Sequence, residues 1–264
     1  MKNNGFIKVW NVIYPILIYY VISNVVMSMA VLILGITEKN YSDNYTMLQT
    51  IATAVALPVL YGFYRKDQMM FTVFHQRTAN ERSELSKKRQ VLYGMAAFLC
   101  GALAGLVLNN IIGATGLMEL SKGYQNVTAQ FFAGGMLFEI IGLGILVPVV
   151  EELLYRGIVY ARLSDWIGIP RAAVVSALIF GGLHMNLVQF IYAFLLGLLL
   201  VYLLERCHNL YGALLAHVGA NLITVLRAET GFLDWMQGSM AVYWIATAVM
   251  AVVCAGIIRS MRKK

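Results

Sequence analysis

Long apolar runs separated by short polar segments make up most of the chain. Because about 20 apolar residues are enough for a helix to cross a bilayer, the runs predict roughly eight spans. These lie near residues 9–34, 46–64, 91–113, 131–151, 172–187, 189–204, 209–226 and 240–258. The fifth and sixth are short and nearly continuous, which indicates a tight hairpin or a strong tilt and leaves seven spans as the alternative. The pattern predicts an all-α, polytopic transmembrane helical bundle that forms one integral membrane domain over residues 1–264.

The basic residues predict the orientation of this bundle. With the N-terminus in the cytoplasm, the 20 Lys and Arg residues fall on the cytoplasmic side except for Lys39, Lys122 and Arg227. Both termini are then cytoplasmic. Their basic residues are Lys2 and Lys8 at the start, and Arg259, Arg262, Lys263 and Lys264 at the end. The net charge of +7 is therefore read as a topology signal, and no nucleic-acid partner is predicted.

Composition supports a membrane protein. The chain is 60% hydrophobic and 12% charged, whereas soluble domains are about 45–50% apolar and about 25% charged. The first apolar run is too long for the core of a signal peptide and lacks a small-residue cleavage site, so it is predicted to be the first span. Cys100, Cys207 and Cys254 lie in apolar runs without paired spacing, which favours small buried side chains over a disulfide or a thiolate metal site.

One polar segment, residues 65–90, is longer than the other loops. It is predicted to be a cytoplasmic amphipathic helix held against anionic lipid, with docking of a partner as the alternative. The side chains expected to face the membrane are Met69, Met70, Phe71, Val73 and Phe74.

Two adjacent glutamates end the fourth apolar run. Glu152 and Arg156 lie at i and i+4 on a helix and can form an ion pair, whereas Glu151 points about 100° away. An ionised side chain in a span costs roughly 2.5–3.5 kcal/mol, so such residues usually mark function. The spacing predicts that Glu152 is held by Arg156 and that Glu151 is free for chemistry. The topology puts Arg156 at the cytoplasmic edge, with Glu151 about 7.5 Å deeper.

Later spans contain further polar side chains. His184 follows Phe180 by one turn in the fifth span, and His217 and Asn221 share one face of the seventh. Each could simply bond a neighbouring backbone, but the set together indicates hydrolysis. Glu151 can take a proton from water and return it to a leaving amine, while His217 and Asn221 offer N–H donors for an oxyanion. Alternatively, one Glu and two His are the ligands of a catalytic zinc. Spacing leaves both mechanisms open.

The motifs resemble those of the CAAX-protease and bacteriocin-processing (CPBP, or Abi) family of intramembrane proteases. The matching pieces, in the family's order, are Glu151-Glu152-x-x-x-Arg156, Phe180-x-x-x-His184 and His217-x-x-x-Asn221. The resemblance covers about residues 131–226 as a catalytic core. It implies an endopeptidase whose water-filled cavity opens to the cytoplasmic side.

By this resemblance Glu151 and His184 activate water, His217 and Asn221 form the oxyanion site, and Glu152 and Arg156 brace the glutamate helix. Glu151, His184 and His217 would be the ligands of a divalent metal such as zinc, and the need for a metal stays open. The expected substrate is a membrane-associated or lipidated peptide or protein, cut at the cytoplasmic face of a bacterial cell membrane. The alternatives are a catalytically silent bacteriocin-immunity or scaffold protein, and a proton-relaying transporter.

Overall fold

The computed structural model describes residues 5–70, 73–83 and 85–261. Its helices are, in chain order, α1 (Gly5–Leu34), α2 (Tyr41–Met69), α3 (Val73–Ser83), α4 (Lys87–Gly113), α5 (Leu117–Leu120), α6 (Lys122–Phe131), α7 (Met136–Ile167), α8 (Ile169–Gly182), α9 (Leu187–Cys207), α10 (Leu210–Thr230) and α11 (Met240–Ser260). A 3₁₀ turn, Asp234–Gly238, precedes α11. No strand occurs among the described residues, so the predicted all-α fold is confirmed.

The predicted spans are helical, but not all are full length. Within the described ranges, six helices (α1, α2, α4, α9, α10 and α11) are long and apolar enough to cross a membrane. A seventh crossing is possible if α6 and α7, which meet at 103°, count as one broken span. Helix α8 has 14 residues, about 21 Å, and is too short to cross alone. The count therefore falls from eight to six or seven, with α8 and α9 forming the expected hairpin.

Helix α7 runs through the interior of the bundle and continues well beyond its predicted end at residue 151. Its stretch Leu153–Tyr160 is buried throughout. Arg156 is 1% exposed and eleven residues, or about 16 Å, remain before the helix ends at Ile167. Arg156 therefore lies inside the bundle and not at the end of its helix, because the helix does not stop where its apolar run stops. Its level relative to the cytoplasmic edge of the membrane stays a prediction.

Helices α4 and α10 cross at very short range beside α7. A side chain at Gly101 would place its Cβ 1.8 Å from the carbonyl oxygen of Ala216, and one at Gly219 would place it 2.3 Å from that of Phe98. Small residues permit such contact between membrane helices. This contact fixes α10, and with it His217 and Asn221, against the rest of the core.

Helix α3 lies across one end of the bundle. Arg77 binds both carboxylate oxygens of Glu205 on α9, at 2.7 and 2.8 Å. Phe74 is 5% exposed and its ring packs against Tyr160 on α7. Phe74 was expected to face lipid, so that detail is wrong, while Met69, Met70 and Val73 are exposed. We call this end, with the C-terminal ends of α2, α7 and α9, the basic end.

The opposite end carries α5 and α6. Thr46, near the start of α2, donates to the carbonyl of Phe131 at the end of α6 over 2.7 Å. We call this the α6 end. Its described basic residues are Lys39, Lys122 and Arg227, the three exceptions of the topology argument. Five residues used in the topology and loop predictions lie outside the described residues: Lys2, Phe71, Arg262, Lys263 and Lys264.

Candidate active site

A cavity of about 390 Å³ inside the bundle brings the three sequence motifs together. Its lining includes Glu151 from α7, His184 from the turn that follows α8, and His217 and Asn221 from α10. The four candidate catalytic residues therefore share one chamber, although two helices and a turn supply them.

The glutamates lie on a short α-helical stretch of α7, Val147–Glu152, between two π-helical stretches, Glu139–Leu146 and Leu153–Tyr160. A π-helical turn holds an extra residue, and such turns are frequent at functional sites. In the first stretch the Val147 N–H donates to the carbonyl of Gly142, and Pro148 has no N–H to donate. The carbonyl of Leu143 thus loses both of its usual backbone donors.

Asn221 supplies the missing hydrogen-bond donor. Its Nδ2 donates to the Leu143 carbonyl over 2.9 Å. An amide nitrogen carries two hydrogens, so one remains available to another acceptor in the chamber. The irregular backbone of α7 thereby positions Asn221 close to the glutamate helix.

Glu152 is the centre of a buried ion network. Its Oε1 accepts from Nη1 of Arg156 at 2.7 Å and from Nδ1 of His217 at 2.8 Å. The Arg156 guanidinium also lies over the ring of Phe180, 4.5 Å from its centroid. Glu152 is fully buried and Arg156 is 1% exposed. The pairing at i and i+4 expected from sequence is present, and the network ties α7 to α10.

Glu151 has a different environment from its neighbour. Its side chain is 17% exposed and lines the cavity, and its Oε2 lies 3.6 Å from Nε2 of His217. That separation is longer than a hydrogen bond. Glu151 is therefore the carboxylate that a molecule in the chamber can reach, whereas Glu152 is closed off.

The hydrogen bonds of the two histidines define which ring nitrogen each presents to the chamber. His184 Nδ1 lies 2.8 Å from the carbonyl of Phe180, and a carbonyl can only accept, so Nδ1 carries the hydrogen. The same reasoning puts a hydrogen on His217 Nδ1, which faces the Glu152 carboxylate. Nε2 is left for chemistry in both rings. A His217 ring with hydrogens on both nitrogens would direct Nδ1–H at Glu152 and Nε2–H into the chamber on the side of Glu151.

The residues present do not form a ready metal site. Glu151 and His217 approach each other, and His184 interacts electrostatically with Glu151. Within the described part of the chain, however, no three Asp, Glu, His or Cys side chains are grouped to hold a metal ion. The predicted ligand set Glu151, His184 and His217 therefore shares the chamber without forming a ligand cluster.

Sequence reasoning identified Phe180 but missed the other aromatic side chains of the chamber. Tyr20 on α1 and Tyr155 on α7 interact with each other and with Glu151, and both line the cavity. The rings of Phe180 and His217 meet edge to face, with centroids 5.7 Å apart. Adjacent tyrosines in the middle of the first apolar run were the available signal for Tyr20.

The cavity extends from Glu151 toward the α6 end. Lining residues Tyr124 and Thr128 lie on α6, and Gln49 and Asn109 lie on the halves of α2 and α4 nearest that end. A second cavity, of about 760 Å³, reaches Glu152 from the basic end between α2, α3 and α10, but none of the four candidate catalytic residues lines it. The resemblance implied an opening toward the cytoplasm, the side assigned to the basic end, and the chamber extends the other way.

Residues 129–223 match the family model described as type II CAAX prenyl endopeptidase Rce1-like. The resemblance to the CAAX-protease family is confirmed over this segment. The CAAX-protease-like segment contains all four candidate catalytic residues and nearly coincides with the predicted core, 131–226. Together with the long apolar helices it identifies a multi-pass membrane protein and supports an intramembrane protease. No curated protein and no solved structure matches the chain.

Proposed function

We propose that this protein is an intramembrane endopeptidase that cuts a membrane-associated peptide or protein with a water molecule activated by Glu151. The observation that carries the proposal is the contrast between two adjacent carboxylates. Glu152 is held by Arg156 and His217, while Glu151 lines the chamber beside His184 and His217. A carboxylate that lines a cavity beside two histidines is a candidate general base.

In the first step the Glu151 carboxylate takes a proton from water as the water oxygen attacks the carbonyl carbon of the scissile bond. His184 Nε2 accepts the second hydrogen bond of that water, since its Nδ1 is committed to Phe180. The carbonyl oxygen then carries a negative charge.

The developing oxyanion meets two donors on α10. Asn221 offers its second amide hydrogen, and protonated His217 offers Nε2–H. Carboxylates lie on both sides of the His217 ring, Glu152 at Nδ1 and Glu151 3.6 Å from Nε2. One such donor is worth roughly 2.7–4 kcal/mol of transition-state stabilisation.

In the last step Glu151 returns its proton to the leaving nitrogen as the C–N bond breaks, which restores the carboxylate. Arg156 and Glu152 touch neither substrate nor water. They hold His217 in orientation, so they act as positioning residues.

The substrate is proposed from the family and from the chamber. The matched family acts as a CAAX prenyl endopeptidase, which supports a membrane-associated peptide or protein as substrate. We place the protein in the cell membrane of a bacterium, in keeping with its topology and small loops.

The test is cleavage of a peptide library by the full-length protein in detergent, followed by mass spectrometry. Wild type is compared with Glu151→Gln and His184→Ala, each with and without a metal chelator. We expect cleavage by wild type and a loss of at least about 10²-fold in each variant, as for the loss of a general acid–base group.

Three results would contradict the proposal. Cleavage that survives Glu151→Gln removes the proposed base. Cleavage by wild type that stops with chelator and returns with added zinc shows that a metal takes part in the step assigned to Glu151 alone. A folded wild-type protein that binds peptides but cuts none of them would rule out the proposed enzymatic activity.

A further inference from the structure

The direction in which the chamber extends has a consequence for where its substrate comes from. From Glu151 the cavity continues between α2, α4, α9 and α10 to α6. Every lining residue on α7 lies between Leu143 and Tyr155, and Tyr155 is the lining residue of that helix nearest the basic end.

Toward the basic end the chamber is closed by protein. Between Glu151 and the basic end lies the buried network of Glu152 and Arg156. Ile158 and Tyr160, which are also buried, follow it along α7. Beyond them α3 is clamped by the Arg77–Glu205 ion pair, and the ends of α2 and α7 are joined by Arg162 and Asp67 at 2.7 and 2.9 Å. The second cavity enters from this end but reaches only Glu152.

Charge assigns the two ends to the two sides of a membrane. The described basic residues concentrate at the basic end, on α3, at the start of α4 and at the C-terminal ends of α2, α7, α9 and α11, while the α6 end has Lys39, Lys122 and Arg227. Segments rich in Lys and Arg stay in the cytoplasm. The α6 end, and the open part of the chamber, then face away from the cytoplasm.

The chamber wall also restricts what can enter. Among the described residues that line it, none is Lys, Arg or Asp, and Glu151 is the one carboxylate. Its far part is lined by aromatic and amide side chains, including Tyr45, Gln49, Asn109 and Tyr124. Such walls suit an extended peptide with uncharged or apolar side chains, whose backbone the amides can hydrogen-bond.

We infer that the active-site chamber opens on the extracytoplasmic side and receives there an extended, uncharged segment of an exported or outer-face peptide. The inference rests on the proposed function for its peptide substrate, but the side of opening can be measured without activity. It reverses the cytoplasmic cleavage expected from the family resemblance.

Cysteine labelling in oriented membrane vesicles tests the side. Thr128→Cys places a thiol on α6 in the chamber lining, and Ala79→Cys places one on exposed α3 as the matched control. The native thiols Cys100, Cys207 and Cys254 are buried and give the background in wild type. In right-side-out vesicles a membrane-impermeant maleimide should label Thr128→Cys above this background and leave Ala79→Cys unlabelled. Inside-out vesicles should reverse the pattern.

A second measurement follows activity. An impermeant, uncharged peptide that wild type cuts in detergent is added to both kinds of vesicle, and we expect cutting by right-side-out vesicles and at least a tenfold lower rate by inside-out vesicles. Labelling of Thr128→Cys from the inside-out face alone, or faster cutting there, overturns the inference. If the labelling is as expected and wild type cuts no library peptide even in detergent, the opening stands and the proposed endopeptidase activity is ruled out.

Discussion

Replacing Glu151 and Glu152 in turn by glutamine should distinguish the catalytic role proposed for Glu151 from the structural role of Glu152. The two substitutions remove the same charge, keep nearly the same shape and differ by one position. Glu152→Gln leaves Arg156, which is 1% exposed, without its carboxylate partner. Glu151→Gln breaks no ion pair shorter than 3.6 Å, and its side chain keeps 17% exposure.

The magnitudes follow from burial. Removing one partner of a buried ion pair costs about 3–5 kcal/mol, because the other charge stays buried without compensation. At about 2–4 °C per kcal/mol for a chain of this size, Glu152→Gln should lower Tm by about 6–20 °C. Glu151→Gln should change stability by less than about 1 kcal/mol. Both variants should lose cleavage: Glu152→Gln because His217 then faces a neutral amide instead of a carboxylate, and Glu151→Gln because the proposed base is gone.

The assay uses the three native thiols as reporters. All are buried, so a fluorogenic maleimide reacts as the protein unfolds in detergent, and Tm is read from the fluorescence curve. Peptide cleavage is measured on the same samples below the lower Tm. A Glu152→Gln variant that melts with wild type, or a Glu151→Gln variant that melts as early as Glu152→Gln, would refute this division of roles.

Three further outcomes follow from the structure. Asn221→Ala should lower kcat about 10²–10³-fold with little change in KM, and a raised KM at unchanged kcat in steady-state kinetics would remove its oxyanion role. Gly101→Ala brings a Cβ against Ala216 and should destabilise by about 1–3 kcal/mol in thermal unfolding, while the control Gly256→Ala, with nothing within 4 Å, should match wild type. Burial lowers the pKa of His75 on α3 from its ordinary 6.5, although the charge of Asp67 opposes this shift. As the pH falls, the unfolded form therefore binds a proton at a higher pH than the folded form does, which favours unfolding. Docking of α3 should therefore be full above about pH 6.5 and weaken below it, seen as faster limited proteolysis in α3, and His75→Phe should remove this pH dependence.

Local spacing predicted much of the site. The apolar runs predicted the helices, and the i, i+4 rule predicted the pairing of Glu152 with Arg156. Both depend on one helix only, which is why a pattern along the chain was enough. The family match over residues 129–223 confirms the resemblance drawn from the three motifs.

Relations between helices could not be predicted from spacing. The bond from His217 to Glu152 depends on how α7 and α10 are rotated against each other, which no interval along the chain encodes. The packing of α4 against α11 is equally absent from the spacing: Cys100 and Cys254 lie 154 positions apart, yet their sulfurs are 3.2 Å from each other. Phe74 was expected in lipid because its surroundings in the sequence are amphipathic, but the packing partner Tyr160 on α7 decided its place.

The length of α7 sets a minimum distance between the scissile bond and any folded part of the substrate. From Met136 at the α6 end to Glu151 the helix rises about 22 Å. An extended chain advances about 3.3 Å per residue. About seven residues of a peptide that enters from that end therefore lie between the entrance and the Glu151 carboxylate. A folded domain cannot follow it into a chamber of about 390 Å³. Scissile bonds should therefore lie at least that far from any folded part of the substrate, which makes unfolded tails and leader segments accessible and excludes loops of compact proteins.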